Sequence, residues 1–169
     1  MRKAVFFDRD GVLNVERGTY TFRPQDFEVM DGAPDLLQKA KRQGFHSIVV
    51  TNQAGIAKGL YTQHDVESCH EKLQEATDNA VDEFYIAPDH PDFSMSLSRK
   101  PDSLMFERAI AKFDLDPKSC WMIGDKERDL FPAKKLGIGT ILVGQAKTES
   151  ADYVISHLKE AVSIIFESN

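Results

Sequence analysis

Six short apolar runs, separated by stretches of helical periodicity, constrain this chain more than any other feature. They lie at Ala4 to Phe7, Ser47 to Val50, Glu83 to Ile86, Trp121 to Ile123 and Thr140 to Val143, with a weaker one at Tyr153 to Ile155. Runs of β-branched and aromatic residues without polar alternation predict short strands buried on both faces. Between them, helical spacing covers Pro34 to Gln43 ending at Gly44, Thr62 to about Ala80, Ser103 to Phe113, Arg128 to Leu136 ending at Gly137, and His157 to Phe166. The second of these carries a buried stripe of Val66, Cys69, Leu73, Ala76 and Ala80. Strands that alternate with helices of this length require crossover connections. The expected fold is therefore α/β: a doubly wound, Rossmann-like parallel sheet with helices on both faces.

At 169 residues, 41% of them hydrophobic, the chain fits one domain over residues 1–169. It has no internal repeat and no linker long enough to divide it. Its least regular stretches, Val15 to Met30 and Pro88 to Pro101, exceed the usual two to six residues of α/β loops and are candidates for function. The first is too short for a large cap domain, so the two together are expected to frame an entrance.

The net charge of −6, from 27 acidic and 21 basic residues, disfavours broad binding to nucleic acid or anionic lipid. A small phosphorylated molecule needs only a local cluster of cations and stays compatible. The two cysteines, Cys69 and Cys120, have neither disulfide nor zinc-ligand spacing and read as core residues. No run approaches the roughly 18 apolar residues of a membrane span, and Met1-Arg2-Lys3 leads into a strand, not a signal peptide. A cytoplasmic monomer with no membrane partner is expected. The five histidines show no metal-ligand grouping; His90, in the second irregular loop, is the one placed where a substrate could meet it. Gly55 to Gly59 lacks the spacing of a P-loop.

In an open parallel sheet, ligands bind beyond the carboxyl ends of the strands. Here the first strand runs into Asp8-Arg9-Asp10-Gly11 and the second into Thr51-Asn52-Gln53. The loop after the third closes on Arg99-Lys100-Pro101, and the fourth runs into Gly124-Asp125-Lys126, with Asp129 a turn later. Each group alone has an ordinary explanation as a turn, a cap or a solvated pair, and an EF-hand reading of Asp8 fails at Val12, Leu13 and Thr19. Their joint occurrence at successive strand ends suits phosphoryl transfer to a carboxylate, a reaction in which nucleophile, acid and charge neutralisation must all be supplied.

In that chemistry Asp8 attacks phosphorus, splitting the reaction through an aspartyl-phosphate, and Asp10 acts as acid and then base. Mg²⁺ suits a shell of the Asp8 carboxylate, the Asp10 carbonyl, Asp125 and the substrate phosphate. Gly11 lets the backbone bend between the two aspartates, while Thr51 and Lys100 bind the remaining phosphoryl oxygens. A receiver-type signalling module also combines Asp, Thr and Lys on a doubly wound sheet. Its phosphoacceptor, however, follows a later strand, where this chain has Val49-Val50-Thr51.

With these stations in place, the chain resembles the haloacid dehalogenase superfamily of aspartate-nucleophile phosphatases through FFDRDGVLN, VVTNQAGIAKG, RKP and GDKERD. Its combination of motifs is similar to the branch acting on heptose bisphosphate and histidinol phosphate; related cores also serve nucleic-acid 3′-phosphatases. The resemblance implies a Mg²⁺-dependent phosphatase, with D-glycero-D-manno-heptose 1,7-bisphosphate the leading substrate. It makes Asp8 the nucleophile, Asp10 the acid/base, Thr51 and Lys100 the phosphoryl stabilisers, and Asp125 a metal ligand. It also implies substrate or metal contacts for Asn52, Gln53, Ala54, Arg99 and Lys126 and for Glu16, Arg17, Gly18 and Thr19, with Asp129 supporting the ligands. Many members carry a zinc loop of three cysteines and a histidine before RKP. This chain has Ala87, Asp89, Ser96 and Ser98 there, so no zinc is expected.

Overall fold

The computed structural model describes residues 2–167. Six parallel strands form one sheet in the order β3-β2-β1-β4-β5-β6, where β1 is Lys3–Phe7, β2 Phe45–Asn52, β3 Glu83–Ala87, β4 Trp121–Gly124, β5 Gly139–Val143 and β6 Tyr153–Ile155. The connecting helices are α1 (Ala33–Arg42), α2 (Gln63–Ala76), α3 (Leu104–Phe113), α4 (Glu127–Lys135) and α5 (Glu160–Phe166). Among the described residues, no helix is long and apolar enough to cross a membrane.

Successive side chains of a strand point to opposite faces, and the core divides accordingly. Val5 and Phe7 of β1, with Val49 of β2, pack with Leu36 and Leu37 of α1, Cys69 and Leu73 of α2 and Ile165 of α5. Ala4 and Phe6, with Ile48 and Val50, pack with Met105, Phe106 and Ala109 of α3 and Leu130 and Ala133 of α4. Both cysteines are free and buried. The central strands are buried on both faces, as their unbroken apolar runs require. The weakest run behaves differently: β6 lies at the sheet edge and exposes Tyr153 and Val154, because only one neighbour and one face shield it.

Helix α2 also departs from its sequence pattern. A reciprocal cap between Thr62 and Asp65 starts it. It ends at Ala76, with Asp78 and Asn79 in left-handed backbone, so Ala76 is exposed and Ala80 packs from a loop. The residue that joins Val66, Cys69 and Leu73 inside is His70, which stacks on Phe84 of β3 at 4.2 Å and is 5% exposed. Burial drives its pKa down to about 3, with the Arg9 charge adding to the effect.

Strand order reverses between β1 and β4, which opens a crevice at the carboxyl edge of the sheet. Register brings the strand ends level there. Phe7 pairs with Val49 on one side and Ile123 on the other, and the Asp8 N–H continues the ladder to the Ile123 carbonyl at 3.0 Å.

The His70 environment has a measurable consequence. Its folded pKa lies below the unfolded value of about 6.5, so the unfolded chain binds the extra proton first and stability declines as pH falls below that point. Against His70→Phe, the native chain should lose up to about 1.4 kcal/mol per pH unit between roughly pH 6 and 4. Urea unfolding of both proteins at several pH values checks this; parallel pH profiles would refute it.

Candidate active site

The crevice holds a cavity of about 550 Å³ lined by Asp8, Asp10, Asn52, Gln53 and Lys126 from three strand ends, Glu16 and Gly18 to Thr21 of the early loop, and Arg128. A larger groove, about 820 Å³, runs along β3 between α2 and α3. It contains none of the strand-end carboxylates, so the smaller cavity is the candidate site.

Beneath that cavity Lys100 is 1% exposed, and its ammonium has three partners. It donates to Asp8 Oδ1 at 2.9 Å and to the Val50 carbonyl at 2.8 Å, and it pairs with Asp129 Oδ1 at 2.7 Å. Burial opposes its charge, but Asp129 and Asp8 outweigh that penalty and raise its pKa. Asn52 clamps the Lys100 backbone: its Nδ2 donates to the Lys100 carbonyl and its Oδ1 accepts from the Lys100 N–H, each at 3.0 Å. A residue of a long loop is thereby fastened to the end of β2.

Oxygens of Asp8, Asp125 and Asp129 lie within 4.8 Å of one another. Asp129 is fully buried in the first turn of α4, where its Oδ2 accepts from the Lys126 N–H at 3.1 Å. It approaches closely because Gly124 has no side chain; a Cβ there would lie 2.5 Å from the Asp129 Cβ. Gly11 plays the same part for Asp125, since its Cβ would meet Asp125 Oδ2 at 2.5 Å, and its φ of +84° disfavours any other residue. This crowding shows in the electrostatics. Burial and then the Asp129 charge push Asp8 up to about 7, despite Lys100, and the same two causes raise Asp125. Asp125 Oδ1 is buried with no hydrogen-bond partner. A carboxylate cluster with an orphaned oxygen suits a hard divalent cation.

Asp10 has a different environment. Arg9, fully buried over Phe27, grips both of its oxygens at 2.9 and 3.2 Å and also donates to the Thr21 carbonyl at 2.6 Å. Asn14 and Gln53 add bonds at 3.1 and 3.0 Å. Burial alone would raise the pKa of Asp10, yet Arg9 and these donors hold it below the ordinary carboxylate value. Two aspartates one residue apart therefore have their pKa values driven in opposite directions.

The remaining sequence-derived residues separate by position. Thr51 is fully buried and accepts from Gln53 at 2.9 Å. Lys126 stands at the rim, 3.3 Å from Asp125 and 3.8 Å from Glu16. Glu16 accepts from the Gly18 N–H at 2.9 Å, curling the early loop over the cavity that Gly18 and Thr19 line. Arg17 pairs with Asp26 at 3.2 Å, and neither it nor the buried Ala54 lines the cavity. Arg99 donates to the Asp89 carbonyl at 3.1 Å. His90 contacts Asp92 and Phe93, also outside the cavity lining. Of the two loops expected to frame the entrance, only the early one contributes lining residues. At the zinc-loop positions, Asp89 accepts from Ser94 and Ser96 accepts from the Ser98 N–H, at 2.8 and 3.3 Å.

Arg9, Tyr20 and Arg128 escape sequence reasoning. Arg9 is hidden by its place between two aspartates, although a cation there is itself a signal of pairing. Arg128 looks like the exposed first turn of a helix. It makes no ion pair among the described residues, and its charge acts on Arg99, whose pKa is lowered first by burial and then by Arg128.

The HAD-hydrolase-like family matches residues 97–162. The chain is 32% identical to the D-glycero-beta-D-manno-heptose-1,7-bisphosphate 7-phosphatase of Haemophilus ducreyi, covering 97% of this chain and 98% of that protein. It is 34% identical to the Escherichia coli K12 protein of the same description, over 93% and 90% of the two chains. The crystal structure of D,D-heptose 1,7-bisphosphate phosphatase from B. bronchiseptica complexed with magnesium and phosphate superposes with a TM-score of 0.88 over 99% of both chains; at 23% identity that likeness speaks for the fold. Near-complete coverage of relatives above 30% identity makes this chain a member of the haloacid dehalogenase-like phosphatases, in the family of the heptose-bisphosphate 7-phosphatases.

Proposed function

We propose that this phosphatase removes the 7-phosphate of D-glycero-D-manno-heptose 1,7-bisphosphate through an aspartyl-phosphate on Asp8, with Mg²⁺ as cofactor. The observation that carries the chemistry is the carboxylate cluster at the strand ends: oxygens of Asp8, Asp125 and Asp129 within 4.8 Å of one another, Lys100 bonded to Asp8, and an orphaned Asp125 oxygen, a crowding that a bound cation would relieve so that Asp8 can act as an anion. Asp8, Asp125 and the Asp10 carbonyl would hold the metal, and the orphaned Asp125 oxygen supports that assignment. Asp129 shares the acidic cluster and, through Lys100, steadies Asp8. When bound, Mg²⁺ supplies charge neutralisation that lets an anionic carboxylate approach an anionic phosphate.

The protein's own groups divide the remaining work. Asp8 attacks phosphorus as the bond to the leaving sugar oxygen breaks; Asp10, an anion in the free site, must first take up a proton to pass to that oxygen, and it recovers one from the water that cleaves the acyl-phosphate, ready for the next cycle. Lys100 neutralises charge on the transferring group and the Thr51 hydroxyl donates a hydrogen bond to it. The substrate assignment draws on the names of the relatives and on the rim of the cavity. Arg128 lines the cavity and stands near enough to Arg99 to help lower its pKa after burial, and neither has a carboxylate partner within ion-pair distance among the described residues. Two such guanidiniums suit a second phosphate, the one the reaction leaves in place. Zinc has no part in this reading, because serine hydroxyls and Asp89 tie the loop together. The enzyme is proposed to act as a cytoplasmic monomer.

Asp8→Asn should lower phosphate release at least a thousandfold or so while leaving the circular dichroism unchanged; turnover near the native rate would sink the mechanism. Asp125→Ala should shift Mg²⁺ dependence after chelation by at least about tenfold. In a substrate panel, the heptose bisphosphate should give the highest kcat/KM, ahead of histidinol phosphate and 3′-phosphorylated oligonucleotides. Arg128→Ala should raise KM for the bisphosphate about tenfold while sparing heptose 7-phosphate. Equal losses on both substrates would show that Arg128 does not read the second phosphate.

A further inference from the structure

The Gln53 side chain links two groups that the phosphoryl chemistry treats separately, Thr51 and Asp10, to a third it does not use, Tyr61. Its Oε1 accepts from the Tyr61 hydroxyl at 2.8 Å, while its Nε2 donates to Thr51 Oγ1 at 2.9 Å and to Asp10 Oδ2 at 3.0 Å. Thr51, Gln53 and Tyr61 are all buried. An amide can be turned end for end, and here both neighbours select one orientation. The reverse would face the amide oxygen to the Asp10 carboxylate and leave the Tyr61 proton facing an N–H. Orientation decides what Thr51 can do. Because its oxygen accepts from Gln53, its single proton remains available to donate.

We propose that Tyr61 is a positioning residue: its hydroxyl fixes the Gln53 amide, which aims the Thr51 proton toward the transferring phosphoryl group and holds the Asp10 carboxylate in place. The inference rests on the roles given to Thr51 and Asp10 under Proposed function. Gly55 provides an independent sign that the chain is built around this ring, since a Cβ there would lie 2.0 Å from Tyr61 Cε1. The ring stacks on Phe22 with centroids 5.0 Å apart and meets Tyr20 edge-on at 5.6 Å. One side chain thus docks the early loop and orients the amide. Burial raises the phenol pKa to about 12, so the hydroxyl remains a donor throughout the working range.

Steady-state hydrolysis of p-nitrophenyl phosphate by the full chain with Mg²⁺ tests this without reference to the natural substrate. Tyr61→Phe keeps the ring and should lower kcat about three- to tenfold with KM within about twofold. Gln53→Met should lose at least as much. Adding Tyr61→Phe to Gln53→Met should then cost nothing more, because the hydroxyl acts through the amide. A Tyr61→Phe enzyme with full kcat, or losses that multiply in the double variant, would overturn the proposal and leave Tyr61 as packing alone. Should Tyr61→Phe fail to fold, 3-fluorotyrosine at position 61 replaces it: a stronger donor should raise kcat, and an unchanged kcat overturns the role. Asp8→Asn serves as the reference. If that variant still hydrolyses the ester, the phosphoryl-transfer reading fails; if it is dead and Tyr61→Phe is fully active, only the role of Tyr61 fails.

Discussion

The buried Lys100 ammonium, shared between Asp8 and Asp129, is the interaction on which the site depends. Each of these acids alone would be costly to bury, and a lysine buried without partners would give up its proton. Together they form a compact network whose members come from the end of β1, the long loop before α3 and the first turn of α4. Removing Lys100 would leave two acids uncompensated in a buried environment, which is far more damaging than losing a surface pair, whereas without Asp8 the lysine still pairs with Asp129. The network contributes position more than stability, because the Asp8 carboxylate has little freedom to turn away from the cavity.

Around that centre the local sequence serves close approach. Gly11 and Gly124 admit Asp125 and Asp129 at distances that any side chain would block, and Gly55 admits the Tyr61 ring. Asp10, only two residues from Asp8, is held as an anion by Arg9, Asn14 and Gln53. The fold thereby separates two chemically identical side chains into an acid cluster suited to a cation and an anion held by hydrogen bonds. The early loop completes the enclosure through Tyr20 and Phe22 packed on Tyr61, without a separate cap domain.

Much of this was legible in the sequence. Unbroken apolar runs identified the central strands, since burial on both faces leaves no polar alternation to blur them. Polar residues directly after those runs marked the site, because topology places the carboxyl ends of parallel strands on one edge. The edge strand β6 and the end of α2 were less readable, as shielding by neighbours and a left-handed turn at Asp78 and Asn79 decide them. Arg9, His70 and Arg128 were hidden for a related reason. A charged or polar residue carries no mark in the sequence of whether it will be paired, buried or left facing a cavity.

By itself, then, the chain's order of residues determined a doubly wound parallel sheet and delivered aspartates, a threonine and a lysine to its carboxyl edge, because period and strand order are local and topological properties. Only the tertiary structure decided their electrostatics. Which aspartate is raised and which lowered depends on whether Asp129 or Arg9 stands beside it. Those partners are chosen by packing across elements, and Coulombic energy in a buried site depends on distance and desolvation that no linear spacing encodes.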